Sequence, residues 1–239
     1  MRSIVYLTDN TLAPGIMALC QRKLLEVAGD IPIISISQRP IDFGHNINVG
    51  EIGRNWLSLY KQLLAGCRAA DTEWVVIAEH DCLYTAEHLN YTPEDGGVFW
   101  YNDNRWLVQW GDNHPELNGM YSKWSGSLAL SQLISNRELL AECIAERVKI
   151  LDGGNARMLG KAEPGITVQR ARKWARSGKP IWLRKYLAEH LNKYEHRVFN
   201  TELPNLDIRH GSNFTGPKRG KRRRYELPYW GTWEDWRDG

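Results

Sequence analysis

Three short runs of apolar, largely β-branched residues, each ending on polar side chains, limit the fold of this chain more than any other feature. They are SIVYLT (3–8), IPIISIS (31–37) and WVVIA (74–78). After a Pro14-Gly15 turn, Ile16, Leu19, Cys20, Leu24 and Val27 recur at helical spacing up to Gly29. A loop beginning at Gln38 then leads into a second helix, from about Gly53 to Ala70. Strand–helix–strand–helix–strand at this spacing predicts a parallel sheet with crossover helices, an α/β sandwich. In open sheets of this kind ligands bind beyond the carboxyl ends of the strands. Those ends carry Thr8 and Asp9, then Ser37 and Arg39, then Glu79-His80-Asp81.

Downstream, GVFWYN (97–102) and RWLVQW (105–110) predict two strands joined by a tight Asp103-Asn104 turn. SGSLALS (125–131) leads through Asn136 into an amphipathic helix, 136–151, closed by Gly153-Gly154. The stretch 153–202 is basic and helical in texture, which predicts an insertion or cap. LPNLDIRHGSNFTG (203–216) returns to a short strand and a Gly-bounded loop before the basic run and a Trp-rich end.

A chain of 239 residues with 42% apolar and 25% charged residues can bury a sizeable core. No apolar run is long enough to span a membrane, and MRSIVYLTDN lacks the apolar stretch of a secretory signal, so a cytoplasmic location is expected. Cys20, Cys67, Cys82 and Cys143 are widely spaced, which predicts buried free thiols. The net charge of +3 is local: Lys218, Arg219, Lys221, Arg222, Arg223 and Arg224 crowd one stretch, and without them 25 basic residues face 28 acidic ones. Such a run is either a solvated tail or a site for phosphate or polyanion. The 11 Trp against 4 Phe suit a flat-ring binding surface as well as a core.

A carboxylate at a strand tip is either solvated or meets a cation. Two acids spaced by one residue, Glu79 and Asp81, suit a hard divalent ion, Mn²⁺ or Mg²⁺, that shares oxygens with a phosphorylated substrate. His80 between them is expected to pack or hydrogen-bond rather than ligate.

Residues 49–84, VGEIGRNWLSLYKQLLAGCRAADTEWVVIAEHDCLY, extend this pattern. Gly50, Gly53, the Arg54-Asn55 helix start, the Ala65-Gly66 helix end and the acid-tipped strand resemble the family-2-like glycosyltransferases of the GT-A fold. The resemblance covers the N-terminal half, with Glu79 standing where the family usually has Asp. It implies a Rossmann-like α/β fold with a mixed, mainly parallel sheet flanked by helices. It also implies a core at 1–152, a helical basic insertion on the acceptor side at 153–202 and a C-terminal metal and diphosphate loop with a basic tail at 203–239. By the same resemblance the donor is a nucleotide-sugar, a UDP-sugar, with Asp81 on the metal and Glu79 on the sugar–ribose side. Thr8 and Asp9 would contact base and ribose, and Arg54 would approach the nucleotide; Ser37 and Arg39 end the neighbouring strand. His210 would complete the metal shell, with Asn213 and Lys218 on the diphosphate.

An inverting enzyme needs a carboxylate to take the acceptor proton, and Asp112 and Glu116 in WGDNHPELNG are the loop acids that qualify; a retaining one needs none. Trp106, Trp110 and Trp124 would form a stacking surface or pack in the core. The basic run with Trp suits a nucleic-acid backbone and stacked bases. The chain thereby resembles the small glycosyltransferases with which bacteriophages modify hydroxymethylated pyrimidines in their DNA. Alternatives are a surface-glycan or lipid-linked acceptor, a nucleotidyltransferase and a non-catalytic nucleic-acid-binding protein. Oligomeric state is not legible in the sequence.

Overall fold

In the computed structural model, which describes residues 1–110, 115–154, 163–165, 193–213 and 222–238, β1 (Arg2–Thr8) lies inside the larger of two sheets. It pairs in parallel with β2 (Ile33–Ser37) on one side and β4 (Trp74–Glu79) on the other. β3 (His45–Asn48) extends the parallel half beyond β2. On the far side of β4 the sheet turns mixed. β9 (Leu133–Asn136) runs antiparallel to β4 and to β6 (Val98–Asn102), and β10 (Glu195–Phe199) pairs in parallel with β6 at the edge. The result is a mixed α/β fold, mainly parallel around β1, as the strand–helix alternation predicts.

Residue alternation along the strands divides the core between two faces. Val5, Leu7, Ile36, Val75 and Ile77 meet α2 (Trp56–Ala69) and α4 (Arg137–Asp152) through Leu63, Cys67, Leu140 and Ile144. Ile4, Tyr6, Val76 and Ala78 point the other way, toward Leu24 and Ala28 of α1 (Pro14–Ala28) and toward Phe43. Gly66, inside α2, has a packing cause: a Cβ there would lie 2.3 Å from Val5 Cγ1 and 3.2 Å from Ile36 Cγ1. Removing the side chain lets the helix lie directly on the sheet, at a helix-propensity cost of roughly 1 kcal/mol relative to Ala.

The smaller sheet holds β12 (Arg223–Arg224), β8 (Tyr121–Lys123), β7 (Arg105–Gln109), β11 (Asn205–Arg209) and β5 (Cys82–Leu83), in that order. A short helix, α3 (Ala86–Asn90), follows β5, and α5 (Trp233–Arg237) lies near the C-terminus. Ile16, Leu19 and Cys20 of α1 join Trp106, Val108, Leu206, Ile208, Trp230 and Trp236 in its core. All four cysteines are buried free thiols. No helix among the described residues is long and apolar enough to cross a membrane.

The structure departs from the sequence expectations in four places. β6 and β7 form no hairpin: they belong to different sheets, and the chain crosses between them at Asp103-Asn104. Both strands are buried along their whole length, and the crossing is tied down by Asn104 Nδ2 donating to the Thr201 carbonyl (2.9 Å) and by Asp103 accepting from Gly126 N (2.6 Å). β3 was expected to be loop because HNIN has no apolar alternation. It pairs through polar groups instead, Asn46 Nδ2 donating to the hydroxyls of Ser35 and Ser37, each at 2.9 Å. The residues before α4 form a strand, β9, and the helix starts at Arg137, capped by Asn136. Glu195–Phe199, within the stretch expected to be helical, is an edge strand.

Candidate functional site

A cleft enclosing about 1010 Å³ of non-protein space, open solvent included, lies at the carboxyl ends of β1 and β4, against the start of α2 and the end of β11. Its position is that expected for ligand sites of open sheets. Chain topology explains why residues from both sheets meet there. Directly after Asp81 the chain enters β5, which pairs antiparallel with β11, and Ile208 N donates to the Asp81 carbonyl at 2.8 Å. That pairing carries the end of β11, and with it His210, to the tip of β4.

At the outer end, Asp81 Oδ2 accepts from Asn213 Nδ2 (2.9 Å) and faces His210 Nε2 at 3.3 Å. Asn213 Nδ2 also lies 3.0 Å from His210 Nε2, and Ser212 Oγ is 2.9 Å from His210 Nδ1. His80 Nδ1 sits 2.8 Å from Thr8 Oγ1, and with that nitrogen protonated its Nε2 keeps a lone pair for a cation. One ligand atom from each of His80, Asp81 and His210 falls within 4.8 Å of the others. Burial alone would raise the Asp81 carboxyl, but the His210 hydrogen bond and the neighbouring imidazoles bring it below the ordinary carboxylate range. Burial pushes His80 below the usual imidazole range, against the pull of Asp81 and Asp9.

Beside this cluster Arg54 Nε donates to Asp9 Oδ2 at 2.6 Å, and its guanidinium also donates to the Ser212 carbonyl. Asp9 accepts from Thr11 as well (2.7 and 3.0 Å); these donors with His80 outweigh burial and lower its carboxyl. Asn55 caps α2 by accepting from Ser58 N, so the helix start is fixed where Arg54 enters the cleft. Gln62 Nε2 donates to the carbonyls of Thr8 (2.8 Å) and Ile36 (3.1 Å), tying α2 to the ends of two strands.

The inner end is ionic. Arg105 and Arg209 are 3% and 6% exposed, and both bracket Asp207, at 3.3 and 3.5 Å. Burial, then Asp81, Asp207 and Glu163, push Glu79 well above the ordinary carboxylate range, with only partial relief from Arg105.

Of the residues singled out in the sequence, Thr8, Asp9, Arg54, Glu79, Asp81, His210 and Asn213 line this one cleft. Ser37 and Arg39 do not line the cleft: Ser37 bonds Asn46, and the Arg39 guanidinium braces the Asn10 carbonyl at 2.7 Å, while Gln38 between them does line it. Trp106 is core beneath Arg224, whose guanidinium carbon stands 5.1 Å from the ring, and Trp110 packs on Trp233 and Trp236. Trp124 is half-buried away from the cleft lining. Glu116 sits on an exposed 3-10 turn, Pro115–Leu117, also away from it. Arg222, Arg223 and Arg224 are exposed. Asp112, Lys218, Arg219 and Lys221 lie outside the described residues. His80 hydrogen-bonds Thr8, as expected of it, and also stands within reach of Asp81 and His210; sequence reasoning missed Arg105, Asp207, Arg209 and Glu163 altogether. The available signal was Arg105 opening RWLVQ, and Asp207 and Arg209 in NLDIR, charges in strands otherwise fit for burial.

No family model matches the chain, and no curated protein matches it. Among solved structures it is similar to the glycosyltransferase GlyE of Streptococcus pneumoniae, at 10% identity over 82% of this chain and 45% of that one, with a TM-score of 0.40. It is similar to S. aureus TarS 1-349 in complex with UDP-GlcNAc, at 9% identity, 89% and 59% coverage, and a TM-score of 0.42. A third is a glycosyltransferase involved in glycosylation of the major capsid of PBCV-1, at 8% identity, 86% and 92% coverage, and a TM-score of 0.42. The chain spans less than half the length of the pneumococcal protein.

Proposed function

We propose that this chain is a metal-dependent glycosyltransferase moving a sugar from a nucleotide-sugar, a UDP-sugar, to an acceptor hydroxyl. The observation that carries the reading is the meeting of Asp81, His80 and His210 at one strand tip, beside the Arg54–Asp9 pair. One carboxylate and two imidazoles with room for phosphate oxygens fit Mn²⁺ better than Mg²⁺, which favours an all-oxygen shell. Asp81, His210 and His80 would hold a divalent ion there, which when bound would supply positive charge to a diphosphate leaving group.

The chain's own groups do the rest. Thr8 and Asp9 at the end of β1 are placed for the nucleoside, Arg54 and Asn213 for phosphate oxygens, and Glu79 for a sugar or ribose hydroxyl. Lys218, eight residues after His210 in sequence, is the further candidate for the diphosphate. Arg105 and Arg209, held in place by Asp207, set two permanent cations among the inner acids that need no reorganisation when a ligand enters. Isothermal calorimetry with UDP, with and without Mn²⁺, tests the donor half. Binding that requires the ion and disappears in Asp81→Ala is expected; unchanged, ion-independent binding rejects the reading.

For the acceptor we infer a polyanion, hydroxymethylated pyrimidine in DNA. What supports this is the exposed row Arg222–Arg224 followed by the exposed rings of Tyr225 and Tyr229, a combination suited to phosphates and stacked bases. Arg219 and Lys221 extend the same row in sequence. Changing Arg219, Lys221, Arg222, Arg223 and Arg224 to Ser, with Lys218 kept, is expected to abolish salt-sensitive retention of duplex DNA and leave UDP binding intact. Labelled sugar entering lipid extracts rather than modified DNA rejects the DNA acceptor.

A further inference from the structure

The tripeptide Glu163-Pro164-Gly165 enters the cleft wall, and each of its carbonyls is held by a different side chain. Arg147 of α4 donates to Glu163 O (3.2 Å), the Tyr101 hydroxyl of β6 to Pro164 O (2.9 Å), and His196 Nδ1 of β10 to Gly165 O (3.0 Å). Gly165 adopts φ +80°, and a Cβ there would stand 2.9 Å from His196 Cβ and 3.0 Å from the Glu195 carbonyl, so the backbone lies flush against β10. Pro164 and Gly165 are buried, and Glu163 lines the cleft at its inner end with Arg105 and Asp207.

This support is expensive for a mere loop anchor. Arg147 is fully buried, and withdrawing a guanidinium from water costs several kcal/mol unless fixed partners repay it. Three elements converging on three consecutive carbonyls give the adjoining side chain a defined place, the requirement of a group that must meet a reacting atom. Asp207, the neighbouring inner acid, is bracketed by two guanidiniums and serves them.

We propose that Glu163 is the general base of the transfer, with Tyr101 and Arg147 as its positioning residues; this rests on the glycosyltransferase reading. The acceptor hydroxyl gives its proton to the Glu163 carboxylate as its oxygen bonds to the anomeric carbon. The bond from that carbon to the diphosphate oxygen breaks, and its electron pair leaves with the nucleoside diphosphate. Glu163 then returns the proton to water. The step is a single displacement, so the anomeric configuration inverts.

The test compares Glu163→Gln, Tyr101→Phe and the parent for UDP affinity with Mn²⁺ by calorimetry. It also compares turnover of UDP-glucose, UDP-galactose and UDP-GlcNAc with hydroxymethylcytosine duplex or water as acceptor. Glu163→Gln is expected to lower kcat about 100-fold or more, with KM and UDP affinity within about twofold of the parent. Tyr101→Phe keeps the ring and loses only the carbonyl contact, so about a tenfold loss in kcat with the same split is expected. Parental kcat in Glu163→Gln overturns the proposal, as does a parallel loss of UDP affinity or a product of retained configuration. A parent that binds UDP yet turns over none of these donors overturns the base and leaves the donor reading standing. A parent that binds no UDP overturns both.

Discussion

At the outer end of the cleft Asp81 is held by an amide and an imidazole; at the inner end Asp207 is held by two buried guanidiniums. The outer carboxylate is kept below the ordinary range by the His210 hydrogen bond and the charge of the neighbouring imidazoles and Arg209, and it lines an open cleft that a divalent ion can reach. The inner carboxylate is held between two permanent cations, Arg105 and Arg209. One end is built to receive a charge and the other to keep one in place. The two therefore differ most in what happens when an acid is removed.

Asp207→Ala leaves Arg105 and Arg209 buried without their shared partner, and a loss of about 3–5 kcal/mol in unfolding free energy is expected by urea titration. Asp81→Ala removes a largely buried acid whose partners are an amide and an imidazole rather than guanidiniums, and is expected to cost about 1–2 kcal/mol. Equal costs would erase the contrast between the two ends.

Ligand linkage then separates them in the opposite sense. With free Mn²⁺ and UDP at 100 times their apparent Kd, the parent is expected to gain about 2.7 kcal/mol. Asp81→Ala is expected to gain none. Thermal melts with and without EDTA measure this, and a parental gain in the variant removes the ion from the outer end.

Acid sharpens the comparison by supplying a reference from outside the cleft. His88 in α3 is fully buried between the rings of Tyr84 and Phe199, and burial lowers its pKa to about 3. Its unfolded value is near 6.5, so its contribution is complete above that pH and is lost as pH falls toward 3. The slope is about 1.4 kcal/mol per pH unit across that window. In His88→Phe, which keeps a ring in the stack, urea titrations at pH 7 and 5 are expected to show a smaller difference than the parent. An identical difference would mean that another group sets the acid response.

Much of this was legible in sequence, for identifiable reasons. The parallel half of the sheet announced itself because β1, β2 and β4 are buried on both faces and so read as unbroken apolar runs. Thr8, Asp9, Glu79 and Asp81 followed, since polar groups at such strand ends have only one side to go. β3 was hidden because Asn46 stabilises it by amide–hydroxyl bonds that leave no periodic trace. The β6–β7 hairpin was a false inference because two adjacent buried strands look alike whether they pair or part. The inner end stayed invisible for another reason: Arg105, Asp207 and Glu163 come from segments far apart in the chain, and only the pairing of β7 with β11 and the docking of Glu163 join them.

The smallest effect tests whether the outer end behaves as a surface site. Arg54 and Asp9 are 36% and 17% exposed, so their ion pair is screened and contributes little to folding despite its 2.6 Å contact. Arg54→Met, which keeps much of the aliphatic stem, is expected to cost between about 0.2 and 1 kcal/mol, shrinking further in 1 M NaCl. Because Arg54 also holds the Ser212 carbonyl, it links the end of β1 to the loop carrying His210 and Asn213. Its loss is therefore expected to weaken UDP binding with Mn²⁺ by about tenfold, close to the 1.4 kcal/mol of one charge-assisted hydrogen bond. A stability loss as large as that of Asp207→Ala would show instead that the outer end is as much a folding element as the inner one.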